Sequence, residues 1–149
     1  MREHLSDALN AAIKDQDKRR ISTLRLINAA IKDRDVASRS AGRDPVSEEE
    51  MLQILFKMIK QREESAREYE DNGRLELAEQ EREEIAVIRE ILPPQLDHGE
   101  IERACREAVE ATDSKGLRDV GRCMNALKRQ YDGKMDFGKA STVVKGLLR

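Results

Sequence analysis

Apolar residues recur along this chain at intervals of three and four, and nowhere alternate with polar residues over the length of a strand. Leu5, Ala8, Leu9, Ala12 and Ile13 fall at i, i+3, i+4, i+7 and i+8, so they share one face of a helix. A second stripe runs through Ile21, Leu24, Ile27, Ala30 and Ile31, a third through Met51, Leu52, Leu55, Met58 and Ile59, and a fourth through Leu77, Ile85, Ile88, Ile91 and Leu92. Three shorter stripes follow: Ile101 to Val109, Val120 to Tyr131, and Phe137 to Leu147. The spacing predicts an all-α protein.

Proline and glycine then divide the helices. Pro93-Pro94 cannot lie inside a helix and forces the preceding residues toward extended geometry, which makes it the predicted boundary between a helical domain, 1–93, and a small three-helix domain, 94–149. Gly42 and Pro45 end the second helix, and Ser47 with Glu50 forms a capping box for the third. Asn72-Gly73 is the expected turn between the third and fourth helices, which make a long hairpin. Asp97 and Glu100 pair as a cap for the fifth helix. The second half of the third helix, REESAREYEDNG, has few apolar residues and is expected to project into solvent or meet a partner.

Charged residues make up 39% of the chain and aromatics 3%, a mixture suited to long solvated helices. No apolar run reaches the roughly 20 residues that cross a bilayer, and MREHLSDALN has no signal-peptide core, so a cytoplasmic location is expected, with no membrane partner. Cys105 and Cys123 both fall on apolar helix faces and are expected to be buried thiols. His4 and His98 are isolated from other metal ligands, so neither metal nor cofactor is expected.

The net charge of −2 conceals opposed regions. Between residues 61 and 90 there are eleven acidic residues against five arginines, a net charge of −6. From residue 115 to 149, nine basic residues face three acidic ones, a net charge of +6, and residues 14–43 are also basic. For the acidic hairpin the expectation is a solvated surface with i, i+4 pairs such as Glu63–Arg67 and Glu70–Arg74. A basic tail of this density suits a polyanion such as RNA. Few aromatic residues accompany it, which favours backbone and shape recognition over base stacking.

Within the tail, Gly133, Gly138 and Lys139 have the spacing of a phosphate-binding loop, G-x-x-x-x-G-K-[ST]. Ala140 replaces the magnesium-ligating hydroxyl, and the preceding segment has helical rather than strand periodicity. The same letters suit a helix–turn–helix junction. Gly133 takes a left-handed helix-terminating position, Asp136 caps the next helix, and Gly138 permits close approach of a helix or ligand. Lys134 and Lys139 flank that helix start, where free amides and the helix dipole attract phosphate.

DKRRISTLRLINAAIKDRD, KMIKQREESAREYEDNGRLELAEQEREEI, ILPPQL and DVGRCMNALKRQYDGKMDFGKASTVVKGLL together resemble the GatB/YqeY family, in particular its stand-alone YqeY-like members. The resemblance spans nearly the whole chain. It departs from the family pattern at Asp97-His98-Gly99, where more acidic residues would be usual. The C-terminal part is similar to the tail domain of the GatB component of the tRNA-dependent amidotransferase, which contacts the outer body of tRNA. The resemblance implies a carbon–nitrogen ligase label with glutamine as donor. In the full enzyme, however, carboxylate activation and glutamine hydrolysis lie outside this tail, in a separate domain and a separate polypeptide, and no catalytic residues are assigned here. It implies binding of tRNA or another structured RNA, with Arg122, Lys128, Lys134, Lys139 and Lys145 as the exposed candidates. Two alternatives stand beside it: a helical adaptor that meets a protein through the acidic hairpin, and an amidotransferase in its own right.

Overall fold

The computed structural model describes all 149 residues as seven α-helices joined by short turns, with no strand. They are α1 (Arg2–Lys14), α2 (Lys18–Ser40), α3 (Glu48–Asp71), α4 (Leu75–Ile91), α5 (His98–Ala111), α6 (Val120–Gln130) and α7 (Phe137–Leu147), with a 3-10 turn at Leu117–Asp119. The all-α expectation holds. No helix is long and apolar enough to cross a membrane. The chain forms two compact units, Met1–Leu92 and Pro93–Arg149, each with its own core.

In the first unit, α3 and α4 form the long hairpin and α1 and α2 complete the core. Leu24, Ile27, Leu55 and Ile88, one or two from each of three helices, are completely buried. Ile13, placed on the apolar stripe of α1, is 46% exposed because it lies in the last turn of that helix. The distal half of the hairpin departs from expectation. Ala66 and Ala78 are buried there, so small side chains close the two helices on each other where large apolar residues are scarce.

The ion pairs of this hairpin run across helices, not along them. Glu63 pairs with Arg89 and Glu70 with Arg82, so neither expected i, i+4 pair forms. Glu84 pairs with Arg62, while Glu83 and Glu90 reach Arg19 and Arg20 of α2. A register of antiparallel helices brings these residues together, and spacing within one helix cannot reveal it.

Helix ends explain the turns. Gly73 has φ +73°, and the bonds Gly73 N–H to Glu70 O and Arg74 N–H to Tyr69 O complete a Schellman motif. Gly42 ends α2 in the same way. At Ser47 the capping box is half formed: the Ser47 hydroxyl accepts from the Glu50 amide at 3.2 Å, and the Glu50 carboxylate accepts from that hydroxyl at 3.3 Å instead of reaching the Ser47 amide. At Asp97 and Glu100 both halves of the box are present, despite the departure at His98-Gly99.

The second unit packs α5, α6 and α7 around Cys105, Cys123, Leu127, Met135, Ala140 and Val144. Both cysteines are free and fully buried, as expected from their place on the apolar stripes.

Candidate nucleic-acid interface

The turn between α6 and α7 is held from several sides. Gly133 is buried with φ +73°, a left-handed conformation that suits glycine, although it lies two residues beyond the C-cap at Tyr131. Its carbonyl accepts from Gln95 Nε2 at 2.7 Å, and the Lys134 carbonyl accepts from the Leu96 amide at 2.8 Å. Met135, 1% exposed, anchors the turn in the core. The Lys134 side chain is therefore carried on a fixed backbone while remaining exposed itself. No sequence signal pointed to the Gln95 tether, which joins residues 38 positions apart.

Asp136 caps α7 as expected, but it does so by filling the site that a phosphate would use. Its carboxylate accepts from the Gly138 amide at 2.9 Å. A Cβ on Gly138 would stand 3.1 Å from Asp136 Oδ1, so this glycine makes room for the chain's own cap. No other helix comes within 4 Å of the Cβ position at Gly138, so the close approach made there is to Asp136. With its dipole already offset by a carboxylate, the α7 start leaves anion attraction to the lysines.

The five candidate cations are all exposed, but they do not form one cluster. Lys128 lies in the last turn of α6, Lys134 in the junction and Lys139 in the first turn of α7, so these three border the same turn. Lys145 lies in the last turn of α7, at the far end of that helix from the junction. Arg122 lies near the start of α6 and is engaged locally, 3.4 Å from Asp119 and 3.4 Å from the Asp113 carbonyl. The ion pairs of this unit are Arg122–Asp119 and Lys115–Asp113, which leaves Lys128, Lys134, Lys139 and Lys145 without a carboxylate partner.

Helix α5 mixes the exposed acids Glu100, Glu102, Glu107 and Glu110 with the exposed Arg103 and Arg106, whereas on α6, α7 and their junction exposed cations outnumber exposed acids. Tyr131 and Phe137 are half-buried against the core and offer no open stacking platform.

The remaining reactive groups are structural. Burial pushes the Cys105 thiol up to about 11, with the neighbouring Cys123 and Glu102 adding to the effect. Burial also raises Cys123. Both thiols are thus buried and shifted away from the thiolate form, unlike the exposed, low-pKa thiols that react. No group of three or more His, Cys, Asp or Glu side chains converges in a metal-binding arrangement. The Gly133–Lys139 segment joins two helices, with no strand before it, so it is not a nucleotide loop.

No curated protein matches the chain at a significant level. The model of the YqeY family, described as Yqey-like protein, matches residues 2–148, in agreement with the resemblance carried by the sequence motifs, and the chain belongs to that family.

Proposed function

We propose that the protein binds tRNA or another structured RNA through phosphate contacts of its C-terminal unit, without a catalytic step of its own. The observation that carries this reading is the set of four exposed lysines, Lys128, Lys134, Lys139 and Lys145, that lack carboxylate partners on a segment of net charge +6. Exposed cations gathered on one short segment without acid partners are available to phosphate. Arg122, near the start of α6 and partly engaged by Asp119, is a further exposed cation of the unit. The cytoplasmic setting expected from the sequence fits such a ligand.

Retention of bulk tRNA on filters across a salt series tests the proposal. Binding should weaken steeply with salt, since each neutralised phosphate releases counterions. Lys134→Glu with Lys139→Glu should reduce affinity at least tenfold while leaving the thermal transition in place. Absent or salt-independent binding would overturn the reading. The adaptor alternative loses support from the ion pairs of the hairpin, since five of its eleven acids are already engaged by arginines of the same unit.

A further inference from the structure

Helix α2 carries a cation at every seventh residue: Lys18, Arg25, Lys32 and Arg39. Seven residues bring a helix back to nearly the same direction, with a drift of about 20° per step, so the four share one face. At 1.5 Å per residue they stand about 10.5 Å apart along a line of about 31 Å. The opposite face of α2, with Leu24, Ile27 and Ile31, is buried in the core of the first unit. The line of cations is thus the crest of the helix, and all four side chains are exposed.

None of the four forms an ion pair. The arginines elsewhere on α2 behave differently: Arg19 pairs with Glu83, Arg20 with Glu90 and Arg34 with Glu50. The fold thus pairs these off-crest cations with acids and leaves the crest without ion pairs. Ser22, Ala29 and Val36, all uncharged, alternate with the crest cations at intervals of three and four. Two acids of α2 adjoin the crest: Asp33, next to Lys32, and Asp35, three residues after Lys32 and four before Arg39, whose carboxylate is bound by Arg2 and the Val46 amide.

We infer that the outer face of α2 is a phosphate-contacting ridge for base-paired RNA. The inference takes its ligand class from the proposed function, but stands on different residues in a different unit. An evenly spaced line of cations suits the repeating backbone of a duplex, and A-form RNA is recognised through backbone and shape. The crest has no aromatic residue, so it offers single strands no stacking. Its larger apolar side chains, Leu26 and Val36, are ten residues apart, not at the i, i+3, i+4, i+7 spacing by which a groove receives a partner helix. Its apolar side is already buried, which excludes insertion into a lipid surface.

The test uses the full chain with the four substitutions Lys18→Gln, Arg25→Gln, Lys32→Gln and Arg39→Gln, compared with wild type and with the Lys134→Glu, Lys139→Glu variant. The probes are bulk tRNA and poly(A)·poly(U) duplex, each titrated over a salt series. Glutamine keeps helix propensity, and two half-variants, 18 with 25 and 32 with 39, provide the answer if the fourfold variant fails to fold. We expect the fourfold variant to lose at least tenfold in affinity for both probes and its log–log salt slope to become shallower by about 2–3. Each half-variant should give part of that loss. Wild-type binding by the α2 variant, with loss in the Lys134/Lys139 variant, would overturn the ridge and leave the proposed function standing. Loss in the α2 variant alone supports the ridge and overturns the C-terminal reading. No binding by the wild type overturns both. Competition by polyglutamate equal to that of duplex RNA at the same charge concentration would also overturn the ridge as an RNA site, in favour of an acidic protein segment.

Discussion

Asp35 receives both terminal nitrogens of Arg2, at 2.9 and 3.0 Å, and the same carboxylate accepts from the Val46 amide at 2.8 Å. One side chain of α2 thus holds the start of α1 and the entry to α3, and Arg2 closes the triangle by donating to the Val46 carbonyl at 3.1 Å. The Arg2 guanidinium, then the Val46 amide, hold the Asp35 carboxyl below its ordinary value. A depressed carboxylate stabilises the folded state above its unfolded pKa of about 3.9, and that contribution disappears as pH falls through the lower folded value. Asp35→Asn should therefore lower the melting temperature of the first unit at pH 7 and narrow its difference from wild type below pH 4. Calorimetry at pH 7 and pH 3 measures both; an equal deficit at the two pH values would count against the linkage.

Across the hairpin, Arg62 Nε donates to Glu84 at 2.9 Å and Arg62 Nη1 donates to the Met58 carbonyl at 3.2 Å. The two side chains are 15% and 30% exposed, the most enclosed of the cross-helix pairs, so solvent screens this one least. A double-mutant cycle of Arg62→Ala and Glu84→Ala should give a coupling of about 1 kcal/mol, against a few tenths for the more exposed Arg89–Glu63 pair. Urea melts of the four variants supply the numbers, and equal couplings for both pairs would show that enclosure is not the deciding factor.

Glu81 lies beside this pair in the opposite condition. Partial burial, then the Glu84 carboxylate, raise its pKa, and Arg62 only partly offsets them. A raised carboxyl costs stability when ionised, and the cost is relieved as pH falls through the folded value toward the unfolded one near about 4.3. Glu81→Gln should stabilise the protein at pH 7, with the gain vanishing near pH 4. Urea midpoints of the two proteins at each pH decide it, and a gain that persists at pH 4 would point to packing instead of charge.

Helix count and helix ends were legible because each depends on residues close in sequence. Apolar spacing marks the helices, and Gly73, Asp97 and Asp136 mark their ends through bonds that span two to five residues. The closure of the hairpin tip by Ala66 and Ala78 was not legible, since alanine is as common on solvated helix faces as in tight contacts. The Arg62–Glu84 and Arg19–Glu83 pairs were not legible either, because helix register decides them. At the candidate interface the exposed lysines followed from pattern, but the occupation of the α7 start did not. Asp136 could be recognised as a cap from its place before Phe137. That its carboxylate fills the anion site depends on rotamer and on the space at Gly138.

The buried thiols supply a pH-dependent measure of the second unit. With Cys105 pushed up to about 11 by burial, its proton is retained in the folded state at pH values where an unfolded thiol, near about 8.5, has lost it. A folded state that holds the extra proton loses stability as pH rises from 8.5 toward 11. The unit should accordingly become easier to unfold at pH 9.5 than at pH 7.5, and Cys105→Ala should flatten that dependence. Disulfide-exchange reagents at pH 8 should label neither cysteine except through opening of the unit, at a rate that increases with urea. Rapid labelling in the absence of denaturant would mean that Cys105 and Cys123 are more accessible than their complete burial implies.

Two helices end in the left-handed conformation without a glycine to occupy it. Gln16 has φ 57° and Asp113 has φ 50°, each at the position after a C-cap. Both make the Schellman bonds: Asp17 N–H to Ala12 O at 3.1 Å in the first, and Ser114 N–H to Val109 O at 3.1 Å in the second. A Cβ is disfavoured in this conformation, and glycine relieves the strain at the cost of a more flexible unfolded chain. The relief is the larger effect, so Gln16→Gly and Asp113→Gly should each stabilise the protein by about 0.5–1 kcal/mol. Because the first lies at the end of α1 and the second at the end of α5, each should act on its own unit. The converse substitution, Gly73→Ala, should cost about 1 kcal/mol at the hairpin turn, where φ is +73° and no neighbouring atom lies within 4 Å of the added methyl, so the loss is purely one of backbone conformation. Denaturant midpoints measure all three. A stabilising Gly73→Ala, or destabilising glycines at 16 and 113, would show that the turns are held by their hydrogen bonds in a conformation that carries no strain.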